Sequence, residues 1–193
     1  EIFQTLTDKK FSLFLILLGL FFWLPFWAFF NIAPSYVDRH LNTALLFKQI
    51  ESVFGFTFTR ILGHKENNIW HINGESIAHT GWIILIFQIL ISRIFEKKPP
   101  LQSFIFGMIV ASLGFFTIAI IPHSLPYLIL FSIFIFAIGE MISSPRIQEY
   151  ITWIAPREKA GMYMGTNFLA VCIGALLSGF YTSLFGYFEK INC

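Results

Sequence analysis

Five apolar runs, each long enough to cross a lipid bilayer as a helix, limit what this chain can fold into. A membrane-spanning helix needs about 20 mostly apolar residues. The runs lie at about 11–32, 78–95, 103–121, 125–145 and 160–185. Ile147, Ile151 and Ile154 keep a helical spacing after the fourth run, which allows that helix to continue to 154. The sequence therefore predicts an all-α membrane protein in which five transmembrane helices form a single bundle.

The composition agrees with this class. Hydrophobic residues make up 56% of the chain and charged residues 12%, whereas soluble domains have roughly 25% charged residues. The sequence contains no phosphate-binding loop, nucleophile elbow or zincin motif. Its basic residues lie at helix ends rather than along one face, which argues against nucleic-acid binding. We therefore expect no enzyme, no cofactor and no nucleic-acid partner.

Basic residues in the short loops predict the orientation of the chain, because cytoplasmic loops carry an excess of lysine and arginine. They occur before the first run, between the second and third, and between the fourth and fifth: Lys9, Lys10, Arg93, Lys97, Lys98, Arg146, Arg157 and Lys159. The link between the third and fourth runs has none. We expect a multi-pass protein of the plasma membrane (the inner membrane of a bacterium) with a cytoplasmic amino terminus.

The segment from about 34 to 77 is predicted to form a loop on the outer side. Apolar residues recur at helical spacing between Leu45 and Phe58, which indicates an amphipathic helix at the membrane interface. Asn67-Asn68 and Asn73-Gly74 mark turns. The histidines of this segment lack the tight spacing of metal ligands, so we expect no metal site. The loop supports an alternative function, a receptor or assembly module that binds a partner.

Glu140 is the strongest candidate for a functional residue, because it lies inside the fourth apolar run. An acid in hydrocarbon costs at least ~2.5–3.5 kcal/mol on insertion scales. Helical spacing places Ser143 and Ser144 on the same side. Since desolvation disfavours a charged carboxylate, this patch suits a proton carrier or a site for a substrate ammonium. The structural alternatives are an interhelical hydrogen bond or an acid that reaches the interface.

Pro145 follows this patch by one residue. It would free the carbonyl of Met141 and kink the fourth helix. A kink close to a buried acid suits a gating or binding helix. Alternatively, Pro145 marks the point where the helix leaves the membrane on the cytoplasmic side.

Two other runs contain polar residues that are candidates for contacting a solute. Trp23, Trp27 and Asn31 are spaced by four residues and share one helix face. This face either lines a cavity with the amide at its outer end or forms an aromatic belt at the interface. Gln88, in the second run, either contacts a substrate or hydrogen-bonds a neighbouring helix.

The fifth run combines small residues with one amide. Gly161 and Gly165 form a Gly-x-x-x-Gly pair, and Gly174 continues the small residues at helical spacing. Such stripes let helix backbones approach closely, so we expect them to pack against another helix. Asn167 is a candidate pore residue.

Two consecutive segments carry a family resemblance. They are Phe136-Ala-Ile-Gly-Glu140-Met-Ile-Ser-Ser-Pro145 and Ile154-Ala-Pro156-Arg-Glu-Lys-Ala-Gly161-Met-Tyr-Met-Gly165. Together they resemble helices ten and eleven of the major facilitator superfamily, and most of all its proton-dependent oligopeptide transporter branch. By this resemblance the five runs are helices seven to eleven. The chain is then part of a larger transporter or a truncated product.

The resemblance implies a secondary transporter of twelve helices that works by alternating access and is usually driven by protons. Its cavity lies near mid-membrane between two halves, so the partners of this chain would be the amino-terminal half, the last helix, the substrate and protons. Glu140 would lie in that cavity, where it recognises a substrate amino group or takes part in salt-bridge gating. Two departures weigh against peptide specificity: the first run has no acid before Asp38, and the loop after it is long.

Overall fold

Five helices in the computed structural model are long and apolar enough to cross a membrane. They are Lys9–His40, Gly74–Phe95, Pro100–Ala119, Leu128–Ile154 and Arg157–Phe188. The structure describes residues 7–122 and 124–192, and it describes side chains as far as residue 188. The number of these helices agrees with the prediction and supports a multi-pass membrane protein. Residues 1–6, at the terminus predicted to be cytoplasmic, lie outside the described residues.

The regular elements follow one another as nine α-helices and one β-hairpin within the described residues. The first half contains α1 (Lys9–Leu18), a π-helical turn (Gly19–Trp23), α2 (Leu24–His40), α3 (Thr43–Phe54), α4 (Phe56–Thr59), a 3₁₀ turn (Arg60–Leu62), β1 (Gly63–Glu66) and β2 (Ile69–Ile72). The second half contains α5 (Gly74–Ala78), α6 (Gly81–Phe95), α7 (Pro100–Ala119), α8 (Leu128–Ile154), a 3₁₀ turn (Arg157–Lys159) and α9 (Ala160–Asn192).

The first membrane-length helix is interrupted by the π-helical turn. In that turn the N–H of Leu24 donates to the carbonyl of Gly19, five residues earlier. Pro25 follows at once and has no N–H to offer the carbonyl of Phe21. The ordinary hydrogen-bond pattern therefore fails at this point, and the wider turn lets the chain remain helical on both sides of it. Turns of this kind occur often at functional sites.

The segment between α2 and α5 folds on itself. The amphipathic helix α3 buries Leu46, Phe47 and Ile50, and Trp70 of β2 stacks on Phe47 at 5.5 Å between ring centroids. The hairpin was not expected, because its strands have only four residues each and β1, Gly-His-Lys-Glu, shows no apolar alternation. Its turn is formed by Asn67 and Asn68, the pair that the sequence assigns to a turn, with φ angles of 46° and 64°.

The chain divides into two compact units, and the divisions fall inside α2 and α8. The central unit is Ile32–Ser144, and the terminal unit comprises the described residues up to Asn31 and from Pro145 onward. In the terminal unit the first helix runs parallel to α9. Phe11 lies against Tyr163 at 4.4 Å between ring centroids, and farther along the helices Gly174 lies against Trp23.

Close contact between α7 and α8 organises the central unit. A Cβ added to Gly107 would lie 2.7 Å from the amide nitrogen of Ser143. One added to Gly139 would lie 2.6 Å from the Cα of Ala111. The two helices run antiparallel with their backbones nearly touching, which is how helices without large side chains between them associate in membranes.

The small residues of α9 were expected to pack against another helix along the whole stripe, but only part of the stripe does so. Gly174 lies against Trp23, but an added Cβ at Gly161 or Gly165 would meet no atom of the described residues within 4 Å. The stripe therefore serves close packing near its middle and lies open at its beginning. A Gly-x-x-x-Gly spacing indicates that a helix can be approached closely, but it does not identify what approaches it.

Gly139→Ala should destabilise the protein, because its new methyl group would overlap the backbone of Ala111. Overpacking typically costs ~1–3 kcal/mol. The matched change Gly165→Ala should leave the free energy of unfolding unchanged or raise it by up to ~1 kcal/mol, since alanine favours a helix. Thermal unfolding in detergent measures both variants. Equal stability changes in the two variants would contradict the packing described here.

Candidate functional site

Glu140 lies half-buried on α8, and its carboxylate is hydrogen-bonded by a residue 60 positions earlier in the chain. The hydroxyl of Thr80 donates to Oε2 of Glu140 at 2.8 Å. Thr80 is 3% exposed. Among the described residues Thr80 is the one hydrogen-bond partner of this carboxylate. Glu140 therefore meets a polar group from another helix of the central unit.

Thr80 lies at a break in the second membrane-length helix. The backbone of His79 is extended, with φ −74° and ψ 119°, and it separates α5 from α6. Thr80 is the residue that precedes the first turn of α6, and its hydroxyl bonds Glu140 instead of capping its own helix. The amino end of a helix carries partial positive charge, which favours a nearby carboxylate. The break thus creates a polar position inside a membrane-length helix.

Thr80 is not among the residues that the sequence singles out. The second apolar run, which begins at about 78, reads as one continuous helix in the sequence. The available signal was a polar pair, His79-Thr80, followed by a glycine at the beginning of that run. Glycine and polar residues at this point are typical of a helix boundary, but nothing in the sequence pairs them with Glu140.

The two serines near Glu140 have different surroundings. Ser143 is fully buried, and its hydroxyl donates to the carbonyl of Gly139 at 2.7 Å. Ser143 also lies directly against Gly107 of α7, so it takes part in helix packing. Ser144 is half-buried. The structure thus places Ser143 in the α7–α8 contact rather than in a polar patch with Glu140.

Pro145 lies inside α8, which continues past it to Ile154. Of the two alternatives for the end of this helix, the structure shows the continuation to 154 that the spacing of Ile147, Ile151 and Ile154 allowed. Arg146 therefore lies within the helix instead of in the following loop. Arg146 is 9% exposed, and its guanidinium pairs with Glu149 one turn later. The helix continues through Pro145 because a proline removes only one backbone hydrogen bond.

Gln88 uses its amide within its own helix. Its Nε2 donates to the hydroxyl of Ser92 at 3.0 Å, one turn farther along α6. It is half-buried. The structure therefore does not join Gln88 to the Thr80–Glu140 pair by a hydrogen bond.

The terminal unit contains the remaining polar candidates. The Nδ2 of Asn31 donates to the hydroxyl of Ser178 on α9 at 3.2 Å. The indole nitrogens of Trp23 and Trp27 are buried and have no hydrogen-bond partner among the described residues. The same holds for Oδ1 of Asn167, a residue that is 2% exposed. Two donors and one acceptor are thus buried and unsatisfied, a condition that usually costs stability.

Metal binding finds no support in the described part of the chain. No group of three or more histidine, cysteine, aspartate or glutamate residues there is arranged to hold an ion.

The Thr80–Glu140 hydrogen bond should contribute measurably to stability. Thr80→Val removes the hydroxyl while keeping the shape, so we expect the free energy of unfolding to fall by ~0.6–1.7 kcal/mol, the range for hydrogen bonds between membrane helices. Thr80→Ser should restore most of this loss. A double-mutant cycle with Glu140→Leu isolates the pairwise energy. Additive effects in that cycle would show that the two side chains do not interact.

Comparison with known proteins adds no relative. No family model, curated protein or solved structure matches this chain.

Proposed function

We propose that this chain is the carboxy-terminal part of a proton-coupled secondary transporter of the major facilitator type. It would move a small, peptide-like or other solute across the plasma membrane, the inner membrane of a bacterium, by alternating access. The amino-terminal half and the last helix would complete the carrier. Five membrane-length helices and the resemblance of the segment around Glu140 to helix ten of that superfamily support the proposal.

The observation that carries the proposal is the environment of Glu140. Within the described residues this carboxylate has one neutral donor, Thr80, and no salt bridge. A carboxylate in a membrane-length helix needs a positive partner, because an unpaired charge is costly in a medium of low dielectric constant. A proton or a substrate ammonium can supply that partner and then leave it. Reversible exchange of this kind is what a proton-coupled carrier requires.

The backbone around the site suits a moving part. Thr80 lies at a helix break, and broken helices are common at the binding sites of transporters. Pro145 lies one turn beyond Glu140 within the same helix, where a missing hydrogen bond allows bending. In the proposed cycle, Glu140 exchanges its cation while the helix break and the proline-containing turn adjust to the inward-facing and outward-facing states.

The unsatisfied groups of the terminal unit provide a second polar position. Trp23 and Trp27 offer hydrogen-bond donors, and Asn167 offers an acceptor. A polar solute can satisfy such groups, and a site built to hydrogen-bond a solute discriminates strongly against analogues that lack the matching group. We therefore place solute contacts at Asn167 and Trp23 and cation exchange at Glu140.

Glu140→Gln should abolish proton-driven uptake in the intact carrier while leaving its expression normal, because an amide cannot exchange a proton. Proteoliposomes with an imposed pH gradient and a panel of peptides and small polar solutes measure this uptake. Glu96→Gln, a change of an exposed acid in the loop after α6, is the matched control and should keep wild-type uptake. Unchanged pH-dependent uptake in Glu140→Gln would reject the assigned role.

Asn167→Leu should lower solute uptake and at the same time raise stability. The substitution removes a buried acceptor that has no partner, a group whose burial typically costs ~1–3 kcal/mol. Asn31→Leu is the control, because it breaks an existing hydrogen bond to Ser178 and should not raise stability. Uptake assays and thermal unfolding separate the two effects. A loss of stability in Asn167→Leu would mean that Asn167 serves packing instead of solute binding.

A further inference from the structure

The central unit contains an apolar groove between the amphipathic helix α3 and the beginning of α8. Its volume is about 460 Å³. Its walls include Gln49, Val53 and Phe54 from α3, Leu130 and Phe131 from the start of the fourth membrane-length helix, and Tyr127 from the turn just before it. The groove therefore lies where a membrane-length helix begins, which is the depth of the boundary between headgroups and acyl chains.

The rim of the groove is open and apolar. Val53 is 73% exposed, Phe54 61% and Phe131 59%. Beyond Phe131, the residues of α8 as far as Ser144 are buried or half-buried. An open groove with an apolar rim and almost no polar lining suits a hydrocarbon chain.

Two neighbouring residues of α3, Lys48 and Gln49, carry polar groups of two kinds. The Oε1 atom of Gln49 is buried and has no donor among the described residues, so a small rotation of its side chain would let it accept a hydrogen bond from a molecule in the groove. Lys48, the adjacent residue on α3, is exposed and carries a positive charge. Gln49 thus provides an acceptor in the lining of the groove, and Lys48 provides a positive charge one residue away on α3.

We propose that this groove binds one phospholipid, with an acyl chain between α3 and α8, the phosphate near Lys48 and a hydrogen-bond donor of the headgroup on Gln49. Phosphatidylethanolamine carries such a donor in its ammonium group, whereas phosphatidylcholine has a phosphate but no N–H or O–H. The groove therefore prefers the first lipid over the second. This site is independent of the transport proposal, since neither Glu140 nor Thr80 takes part in it.

The test uses the full chain reconstituted in nanodiscs with equal amounts of the two lipids, matched in their acyl chains. Lipids retained after extraction into detergent are counted by native mass spectrometry. We expect the wild type to retain phosphatidylethanolamine about threefold more than phosphatidylcholine, the ratio that one hydrogen bond in a membrane provides. Gln49→Leu should bring this ratio to one while the total retained lipid remains similar.

Val53→Trp tests the apolar part of the site, because the larger side chain fills the groove and should lower the retention of both lipids. Leu85→Trp is the matched control, since it adds the same bulk to a similarly exposed position on α6 and should leave retention unchanged. Size-exclusion profiles and thermal unfolding identify any variant that fails to fold, and Gln49→Met then replaces Gln49→Leu.

Three results would overturn the proposal. Equal retention of the two lipids by the wild type would remove the role of Gln49. An equal loss of lipid in Val53→Trp and Leu85→Trp would indicate general lipid contact without a site. A dimer or a complex with a partner protein that Val53→Trp disrupts would assign the groove to protein association instead.

Discussion

The hydrogen bond from Thr80 to Glu140 is the interaction around which the central unit is arranged. Water is absent from the hydrocarbon core, so every polar group there must find its partner within the protein. The partner of Glu140 comes from the start of α6, 60 residues earlier, and is available because the helix breaks at His79. The break thus makes the hydroxyl of Thr80 available to Glu140. A continuous helix would not give any residue the surroundings that Thr80 has.

Packing of small residues explains how the acid is brought to that position. α7 approaches α8 through Gly107, Gly114 and Gly139, at distances that leave no room for a methyl group. This contact holds α8 by its backbone on one side, while Glu140 meets Thr80. In membranes such close contact replaces the hydrophobic effect as the force that joins helices. The position of Glu140 therefore depends on glycines as much as on its own hydrogen bond.

The sequence was sufficient to predict the features that depend on local pattern. Runs of apolar residues predicted five membrane-length helices, and Glu140 was recognisable because an acid is rare in such a run. The features that depend on distant residues were not predictable. Thr80 has no spacing that links it to Glu140, and the contact of Gly139 with Ala111 requires knowledge of which helices are neighbours. Arg146 shows the limit of a local rule, since Pro145 was read as a possible end of the helix and the helix continues. The hairpin was missed for a related reason, because its two strands have four residues each, too few to show a pattern in the sequence.

The π-helical turn at Gly19–Trp23 has a consequence for the face that carries Trp27 and Asn31. Such a turn accommodates one residue more than an α-helical turn, and each residue of an α-helix adds about 100° of rotation and 1.5 Å of rise. Deleting a single residue within it would allow a regular helix and would turn all later side chains of α2 to a different azimuth. The amide of Asn31, which now donates to Ser178 of α9, would then point elsewhere. The direction in which this helix presents its polar groups is thus set by one surplus residue.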